Sequence, residues 1–363
     1  MAKPWSSNHR AANLAPKPDS TVNWGVNRPV WQTYLYPEAP MRVVEMVDPT
    51  PPHPHAGSER ARKSAREHAP TRAGSIYGDT PELSIVLPVH NGEAFLAQAI
   101  ESILAQSFTD FELIAVDDCS DDSSPAILAR YAARDLRMHI VTLDSNVRLP
   151  GALNAGFAQA RGQWLSWTSD DNILHPAMLT TLLGKRNRQS GADILYAGYR
   201  VIDAQGRGIG EVRAEPDDHL LERNVVGCCF VYRRAVHEEL GGYDESLFGV
   251  EDYDFWLRAA RAGFRLQPVD AQLYDYRRHE SSLTDRRWHD IRAGVEHVVE
   301  REIEHTADSG RRARGWLTLF TGNPYRPTPR FLLKALRARP SVVIARWRDL
   351  LGWTWRTLAW RLK

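Results

Sequence analysis

The sequence predicts an α/β protein in which helices cover a mostly parallel sheet. Short apolar, β-branched runs alternate with helical patterns from residue 82 onward, and this alternation is typical of parallel strands with crossover helices. The connections between the runs are short, which also favours strands that are joined through helices. The 363 residues are 43% hydrophobic, so the chain can bury a substantial core.

The first two predicted strands flank the first predicted helix. Residues 84–89 (SIVLPV) form a short apolar run of the kind found in buried strands. Apolar residues then recur at helical spacing up to Gln106. Residues 111–116 (FELIAV) predict a second buried strand, which an Asp-Asp pair terminates.

Two further strand–helix units follow. Ser124 and Pro125 mark the start of the second helix, because proline is favoured in the first turn. Residues 139–143 (HIVTL) predict a third strand, residues 153–160 a third helix, and residues 164–167 (WLSW) a fourth strand.

The chain divides into three predicted regions. Residues 1–81 hold 12 of the 22 prolines and predict an extended, largely irregular leader. Residues 82–290 are the predicted folded domain, and residues 291–363 a helical, basic, Trp-rich tail. From residue 311 to the end, 13 Lys and Arg stand against one acid, giving +12, although the whole chain carries only +1. Such a tail favours an anionic partner.

The cysteines and the N-terminus bear on the compartment. Cys119, Cys228 and Cys229 have neither the spacing of a zinc site nor the number of a disulfide framework, so we expect a reducing, cytoplasmic environment. No apolar signal region opens the chain, and no run of about 18 apolar residues occurs. We therefore expect neither a signal peptide nor a membrane-spanning helix.

Polar side chains follow three of the predicted strands at the point where each strand ends. They are His90-Asn91-Gly92, Asp117-Asp118 and Asp170-Asp171-Asn172. Ligands of open parallel sheets bind at the carboxyl ends of the strands. Carboxylates from two strand ends suit Mg²⁺ or Mn²⁺ bound together with a polyphosphate. The alternative is that Asp and Asn only terminate strands as turn formers.

Two common phosphate-binding motifs are missing from the sequence. No GxxxxGK[ST] loop occurs, and no GxGxxG follows the first strand. The ATPase and dinucleotide-binding classes therefore lose their main support, and a nucleotide must be held by another device.

Five blocks of sequence, in order, resemble the family 2 glycosyltransferases. They are SIVLPVHNGEAFLAQAIESILAQSFTDFELIAVDDCS (84–120), ALNAGFAQARGQWLSWTSDDN (152–172), GCCFVYRRAVHEELGGYDESL (227–247), VEDYDFWLRAARAGF (250–264) and LYDYRRHESSLT (273–284). The resemblance covers roughly 200 residues and leaves both ends outside. It implies the GT-A fold, a Rossmann-like, mostly parallel sheet covered by helices.

The resemblance implies an inverting, metal-assisted enzyme that uses Mg²⁺ or Mn²⁺. Such an enzyme transfers a sugar from a nucleoside-diphosphate donor, here UDP- or dTDP-linked, to a hydroxyl of a glycan or lipid-linked acceptor. Family members often act in cell-envelope polysaccharide synthesis, and we expect no nucleic-acid partner. Two alternatives stay open: an inactive sugar-nucleotide-binding or scaffold protein of the same fold, and a sugar-nucleotide pyrophosphorylase.

The family's nucleotide and metal residues carry over by position. Asp170 and Asp171 match the end of the DxD motif, whose carboxylates hold the metal that bridges the diphosphate. Thr168 stands where the first acid of that motif often lies, so which of the two acids ligates the metal stays open. The residues that the resemblance assigns to the nucleotide are Pro88, Val89, His90, Asn91, Asp117 and Asp118.

Two later segments match the family's catalytic and closing elements. Glu251 and Asp252 match the catalytic acidic pair, and we favour Asp252 as the base that takes the acceptor proton. The alternative is that both acids only stabilise a helix N-terminus. Arg277, Arg278 and His279 match the segment that closes over the diphosphate, with His279 as a metal ligand. The alternative there is a solvated surface.

The tail carries one apolar stripe on a predicted helix. Its members are Ile344, Trp347, Leu351, Trp355, Leu358 and Leu362, and the charged residues mostly off it are Arg346, Arg348, Asp349, Arg356 and Lys363. This pattern favours a helix in the interface of an anionic membrane, so we expect a protein peripheral to the inner face of the cell membrane. The alternatives are a terminal helix packed on the domain and a dimer contact.

Overall fold

A computed structural model describes residues 80–186, 191–280, 282–322 and 328–361. The predicted leader lies outside the described residues except for its last two positions. So does Leu362, the last member of the predicted stripe.

One mixed sheet organises this part of the chain. Its strands follow the order β3-β2-β1-β4-β8-β6-β9-β5, and β7 pairs with β6. Their bounds are β1 Leu83–Val89, β2 Phe111–Asp117, β3 Met138–Thr142, β4 Trp164–Trp167, β5 Ile173–Leu174, β6 Ile194–Ile202, β7 Gly208–Val212, β8 Phe230–Arg233 and β9 Leu266–Arg277.

The four strands predicted from the sequence form the parallel half of this sheet. β1 is paired in parallel with β2 and β4, and β2 in parallel with β3. Every residue of β1 and of β2 is buried, because helices cover both faces. The other half is mixed: β8 runs antiparallel to β4 and β6, whereas β6 and β9 are parallel. The predicted α/β fold class is confirmed.

Helices cover both faces of the sheet and continue beyond it. Their bounds are α1 Leu96–Leu104, α2 Ser124–Ala132, α3 Arg148–Phe157, α4 Met178–Lys185, α5 Arg234–Leu240, α6 Glu251–Ala262, α7 Leu283–Arg286, α8 Trp288–His305, α9 Ser309–Thr321, α10 Pro329–Ala338, α11 Pro340–Ala345 and α12 Trp347–Arg361. The third helix starts at Arg148, earlier than the predicted residue 153. Pro150 does not prevent this start, because it lies in the first turn, where proline is tolerated.

Alternate residues of β1 enter two different apolar clusters. Ile85 and Leu87 pack with α1 and α4, whereas Val86 packs with α3 on the opposite face. The cluster that contains Val86 extends to α8, α9 and α10 through Val298, Trp316 and other buried residues. The predicted domain boundary at residue 290 falls inside α8, and these C-terminal helices share one apolar core with the sheet.

The last helices pack by one face and expose another. The ring of Trp353 on α12 lies 4.5 Å from that of Phe320 on α9, measured between centroids. The five described members of the predicted apolar stripe are instead 51% to 74% exposed. Among the described residues, no helix is long and apolar enough to cross a membrane.

Candidate active site

The ends of β1, β2 and β4 meet at one edge of the sheet, as predicted. Val89 at the end of β1 is paired with Asp117 at the end of β2. The backbone N–H of Asp118 donates to the carbonyl oxygen of Val89 at 2.8 Å, and that of Thr168 donates to the carbonyl oxygen of Val86 at 3.1 Å. Parallel pairing therefore brings the three polar segments to one edge of the sheet, where ligands of open parallel sheets bind.

The loops after β1 and β2 are held together by hydrogen bonds. Nδ1 of His90 lies 2.9 Å from the carbonyl oxygen of Asp118. Oδ1 of Asn91 accepts from the backbone N–H of Asp121 at 2.9 Å, and Asn91 adopts a left-handed φ of 56°. Asparagine tolerates this conformation better than most residues. Pro88 is buried within β1, as is Val89, so these two residues position His90 and Asn91 rather than line the crevice.

The two acids after β2 have partners within the protein. Oδ1 of Asp118 accepts from the backbone N–H of Val147 at 2.7 Å, at the start of α3. Burial raises the pKa of the Asp118 carboxyl, although this hydrogen bond opposes the effect. Oδ1 of Asp117 accepts from the backbone N–H of Ser120 at 3.1 Å. Both acids stabilise the loops that surround the crevice.

The predicted metal-binding acids lie beside Gly92 and His279. A side-chain Cβ at position 92 would lie 2.8 Å from Cγ of Asp170, so only glycine leaves room for this carboxylate. Burial, followed by the charge of Asp171, raises the pKa of Asp170 to about 7. Oδ2 of Asp171 lies 3.0 Å from Nε2 of His279, so the structure brings these predicted residues together.

One carboxylate oxygen of Asp171 lacks a hydrogen-bond partner among the described residues, and a divalent cation would supply one. This oxygen, Oδ1, is buried, and a buried carboxylate oxygen normally has a partner. No group of three or more potential ligands forms a metal cluster within the described ranges. The unpartnered Asp171 oxygen, with Asp170 beside it in the sequence, fits Mg²⁺ or Mn²⁺, which would take one or two protein carboxylates and obtain its other ligands from phosphate and water.

Arg277 occupies a different environment from the predicted one. The side chain is only 2% exposed, and Nε donates to the carbonyl oxygen of Asp171 at 2.8 Å. Its other donors reach Gln98 and the carbonyl oxygens of residues 203 and 204, and its guanidinium lies over the Phe95 ring. The expected phosphate contact has no support from this geometry, since the guanidinium is directed into the protein. Arg277 fixes the loop that carries Asp171.

The acidic pair begins α6, and its two members face different surroundings. Oε2 of Glu251 accepts from the backbone N–H of Gly249 at 2.5 Å, and the side chain is buried. Asp252 instead lines a cavity of about 190 Å³. Burial raises the pKa of Asp252 to about 6, and burial together with the charge of Asp252 raises that of Glu251 to about 8. The geometry favours Asp252 as the base.

The cavity beside Asp252 is lined by aromatic and polar side chains. The lining includes Tyr199, Asn224, Cys228, Tyr276 and Thr284. Burial raises the pKa of the Cys228 thiol, and the charges of Asp252 and Asp171 both raise it further. The charges of both carboxylates therefore act on the Cys228 thiol, which lines the cavity beside Asp252.

A buried ion-pair cluster fixes the helix that carries the acidic pair. Asp254, which is fully buried, accepts from Nε of Arg258 at 2.7 Å and from the guanidinium of Arg301 on α8. Glu302 on α8 accepts from Arg261 at 3.0 Å. These contacts attach α6 to α8 and hold its first turn at the cavity.

Residues 84–241 match the family model described as Glycosyl transferase family 2. These residues form a family 2 glycosyltransferase domain. The domain is similar to an uncharacterized glycosyltransferase of Rickettsia prowazekii, at 29% identity over 52% of this chain and 60% of that protein. It is also similar to EpsJ, an uncharacterized glycosyltransferase of Bacillus subtilis, at 30% identity over 56% of this chain and 63% of EpsJ. The chain thus spans about three fifths of the length of these relatives.

Solved structures show the same fold. S. aureus TarS (residues 1–349) superimposes with a TM-score of 0.57 at 19% identity, over 77% of this chain and 91% of TarS. Its complex with UDP-GlcNAc gives a TM-score of 0.58 at 18% identity. The glycosyltransferase domain therefore has the predicted GT-A fold.

Two residues of the candidate site, Asn224 and Gly92, were not singled out from the sequence. The amide of Asn224 lies against Asp252. The two residues are 28 positions apart in the chain, so the sequence gives no sign of this contact. Gly92 was noted only as the end of a strand, although it admits the Asp170 carboxylate. Gly92 itself is visible in the sequence, but its close approach to Asp170 depends on the pairing of β1 with β4.

Proposed function

We propose that the protein is an inverting glycosyltransferase. It would transfer a sugar from a nucleoside-diphosphate donor to a hydroxyl of a glycan or lipid-linked acceptor. The observation that carries this proposal is the placement of Asp252, whose carboxylate lines a cavity at the start of α6. Asp171 adds a buried carboxylate oxygen that has no hydrogen-bond partner among the described residues. A base for the acceptor hydroxyl and carboxylates that would hold a divalent cation at the leaving diphosphate suit a single displacement at an anomeric carbon.

In the proposed reaction Asp252 takes the proton of the acceptor hydroxyl. The acceptor oxygen forms the new bond to the anomeric carbon while the bond to the donor phosphate breaks, and the nucleoside diphosphate leaves with the electron pair. The incoming oxygen attacks opposite to the leaving group, so the configuration inverts. Asp252 suits this role because burial raises its pKa to about 6, which leaves it ionised and moderately basic near neutral pH.

The residues at the sheet edge would hold the donor. His90, Asn91 and Asp118 flank the proposed nucleoside position, and Arg278 belongs to the proposed closing segment. Asp170 and Asp171 would hold Mg²⁺ or Mn²⁺, with His279 as a further ligand or as the group that orients Asp171. A bound divalent cation supplies positive charge that stabilises the departing diphosphate.

The donor is proposed to be UDP- or dTDP-linked. S. aureus TarS, a neighbour in fold, is known in complexes with UDP and with UDP-GlcNAc. This makes UDP-GlcNAc the first donor to test. We further propose hexosyl or related transfer in cell-envelope polysaccharide synthesis, with the protein on the cytoplasmic face of the membrane.

An exposed apolar surface supports a membrane partner for the C-terminal helices. We define the tail surface as Leu333, Leu336, Ile344, Trp347, Leu351, Trp355 and Leu358, all of which are exposed. Exposed arginines accompany it at positions 330, 337, 339 and 348. Apolar side chains that insert and cations that meet phosphate headgroups suit an anionic bilayer surface. Two of the predicted cations, Arg346 and Arg356, instead donate to protein oxygens.

A donor panel tests the proposed function. The full chain is incubated with UDP- and dTDP-sugars, with Mn²⁺, Mg²⁺ or a chelator, and nucleotide release is measured with and without glycan and lipid-linked acceptors. The proposal expects metal-dependent release that an acceptor stimulates. Donor binding without release would favour an inactive sugar-nucleotide-binding protein. Formation of pyrophosphate from a nucleotide triphosphate and a sugar phosphate would favour a pyrophosphorylase.

A further inference from the structure

The segment between the short 3₁₀ helix Asp217–His219 and β8 places one amide against the candidate base. Nδ2 of Asn224 donates to Oδ2 of Asp252 at 2.9 Å. Oδ1 of the same amide accepts from the backbone N–H of Gly227 at 3.2 Å. The two contacts use opposite ends of one planar group.

Hydrogen-bond chemistry fixes which end of the amide faces the acid. A backbone N–H can only donate, so the amide oxygen of Asn224 must face Gly227. Its NH₂ group therefore faces Asp252, and this group can also only donate. Oδ1 of Asp252 accepts from the backbone N–H of Tyr253 at 2.6 Å. Donors thus meet both oxygens of Asp252, and hydrogen bonds of this kind favour the ionised carboxylate over the neutral acid.

The segment that carries Asn224 is held from both sides. Gly227 has a left-handed φ of 63°, and a Cβ at this position would lie 2.8 Å from Cε1 of Tyr199. Glu222, two positions before Asn224, accepts from Nε of Arg314 at 2.9 Å and from Nη1 of Arg346 at 2.7 Å. The amide is therefore anchored through its backbone as well as through its side chain.

We propose that Asn224 is a positioning residue that keeps Asp252 ionised and directed into the cavity. This inference rests on the proposed function of Asp252 as the base. The observed contact of the Asn224 amide is with the carboxylate of Asp252, so the proposed role acts through Asp252. Burial alone would favour the neutral acid, and the donated hydrogen bond counteracts this tendency.

The other charged and titratable groups near Asp252 are largely neutralised by partners of their own. Asp254, on the same helix, is paired with Arg258 and Arg301, although its charge still raises the pKa of Asp252. Around the cavity, Arg223 is paired with Glu215, and Arg213 lies 3.6 Å from Glu211. The neutral titratable groups are Tyr199 on β6, Tyr276 on β9, and Cys228 and Tyr243 in loops.

Glu251 is the neighbouring acid in the same buried turn. The charge of Asp252, after burial, raises the pKa of Glu251, so Glu251 is the member of the pair that stays neutral while Asp252 ionises. Within the described residues, Asn224 is the neutral side chain that donates to Asp252. Removing this donor should therefore shift the ionisation of Asp252 towards higher pH.

The test is the pH dependence of turnover in Asn224→Ala and Asn224→Asp. The second variant keeps the shape of the side chain but replaces the donor with an acceptor. We expect the acid-side midpoint to rise by about one pH unit in Asn224→Ala, and further in Asn224→Asp. Turnover should fall about tenfold on the acid limb, approach that of the natural protein at alkaline pH, and leave donor affinity unchanged.

Thr284→Val is the matched control, since Thr284 lines the same cavity but its hydroxyl lies 3.1 Å from that of Tyr276, not against Asp252. Whatever its effect on turnover, this variant should leave the midpoint in place. An equal loss at every pH in both Asn224 variants, or an equal shift in Thr284→Val, would overturn the inference.

A second readout separates this inference from the proposed function. In protein labelled with ¹³C at aspartate carboxyls, the Asp252 resonance is the one that Asp252→Asn lacks. Its titration should move to higher pH in Asn224→Ala, whether or not the chain transfers sugar. An unshifted titration contradicts the inference even if the enzyme is active. A shifted titration without any transfer supports the inference and contradicts the proposed function.

Discussion

Arg346, between α11 and α12, donates through Nη1 to Oε2 of Glu222 at 2.7 Å. The contact joins the last helices to the segment that carries Asn224, which in turn contacts Asp252. The C-terminal helices thus contribute to the same core as the candidate site and also expose the tail surface. Deleting them would remove buried residues such as Trp316 and Leu317, so the tail surface must be tested by point substitutions.

The first prediction concerns membrane binding. Trp347→Ser/Trp355→Ser should abolish co-flotation of the full chain with anionic vesicles, because both rings are exposed on the tail surface. Flotation of the natural chain should weaken sharply with salt, since each cation adds about 1 kcal/mol near the surface and the Debye length falls to about 3 Å at 1 M. Leu136→Ser is the control, because Leu136 is 82% exposed between α2 and β3.

The membrane proposal fails under two outcomes. Equal flotation of the natural chain and the double variant would show that the tail surface is not the contact. No flotation of either, together with a concentration-dependent dimer that the double variant disrupts, would identify a second copy of the chain as the partner.

The second prediction concerns the metal. Calorimetry should show tighter binding of UDP in the presence of Mn²⁺ than with a chelator, because Asp170 and Asp171 alone would repel a diphosphate. Gly92→Ala should remove most of this metal-dependent gain, since the new Cβ would displace the Asp170 carboxylate. Gly208→Ala is the matched control, because a Cβ at that position meets nothing within 4 Å. Equal UDP affinity with and without metal in the natural protein would contradict the metal proposal.

The third prediction concerns the stability of α6. Asp254→Ala should lower the free energy of unfolding by roughly 3 kcal/mol, because the change leaves two arginines without their buried partner. Asp290→Ala removes an exposed ion pair with Arg287 and should change the stability by less than about 1 kcal/mol. Chemical denaturation measures both. Similar small losses in the two variants would show that the cluster does not fix the helix.

The fourth prediction concerns the pH dependence of stability. The folded-state pKa values of Asp252 and Glu251, about 6 and about 8, lie above their ordinary values, so this pair binds more protons in the native state than in the unfolded state. The contribution of the pair to stability should therefore fall as the pH rises from about 4 to about 8. Glu251→Gln keeps an acceptor for the Gly249 N–H without the charge. It should flatten the upper part of this fall, and thermal unfolding at pH 6 and pH 9 would show whether it does.

The sequence predicted the parallel half of the sheet because its strands are buried on both faces and appear as continuous apolar runs. It did not predict β6 and β9, which form a long ladder with register shifts and partly exposed residues. The predicted site acids meet at the sheet edge because parallel pairing places strand ends together. Side-chain direction was not predictable in the same way. Arg277 turns inward to protein acceptors, and Asn224 meets Asp252 only through the packing of distant segments.

The most direct test of the account is the effect of Asp252→Asn on transfer and on donor binding in the same preparation. We predict a fall in turnover of roughly 10²–10⁴, because the acceptor proton loses its base, with the affinity for the UDP-sugar and metal unchanged. Glu251→Gln, whose side chain faces the Gly249 backbone, should retain most of the turnover. Full turnover in Asp252→Asn, together with its loss in Glu251→Gln, would contradict the assignment of the base.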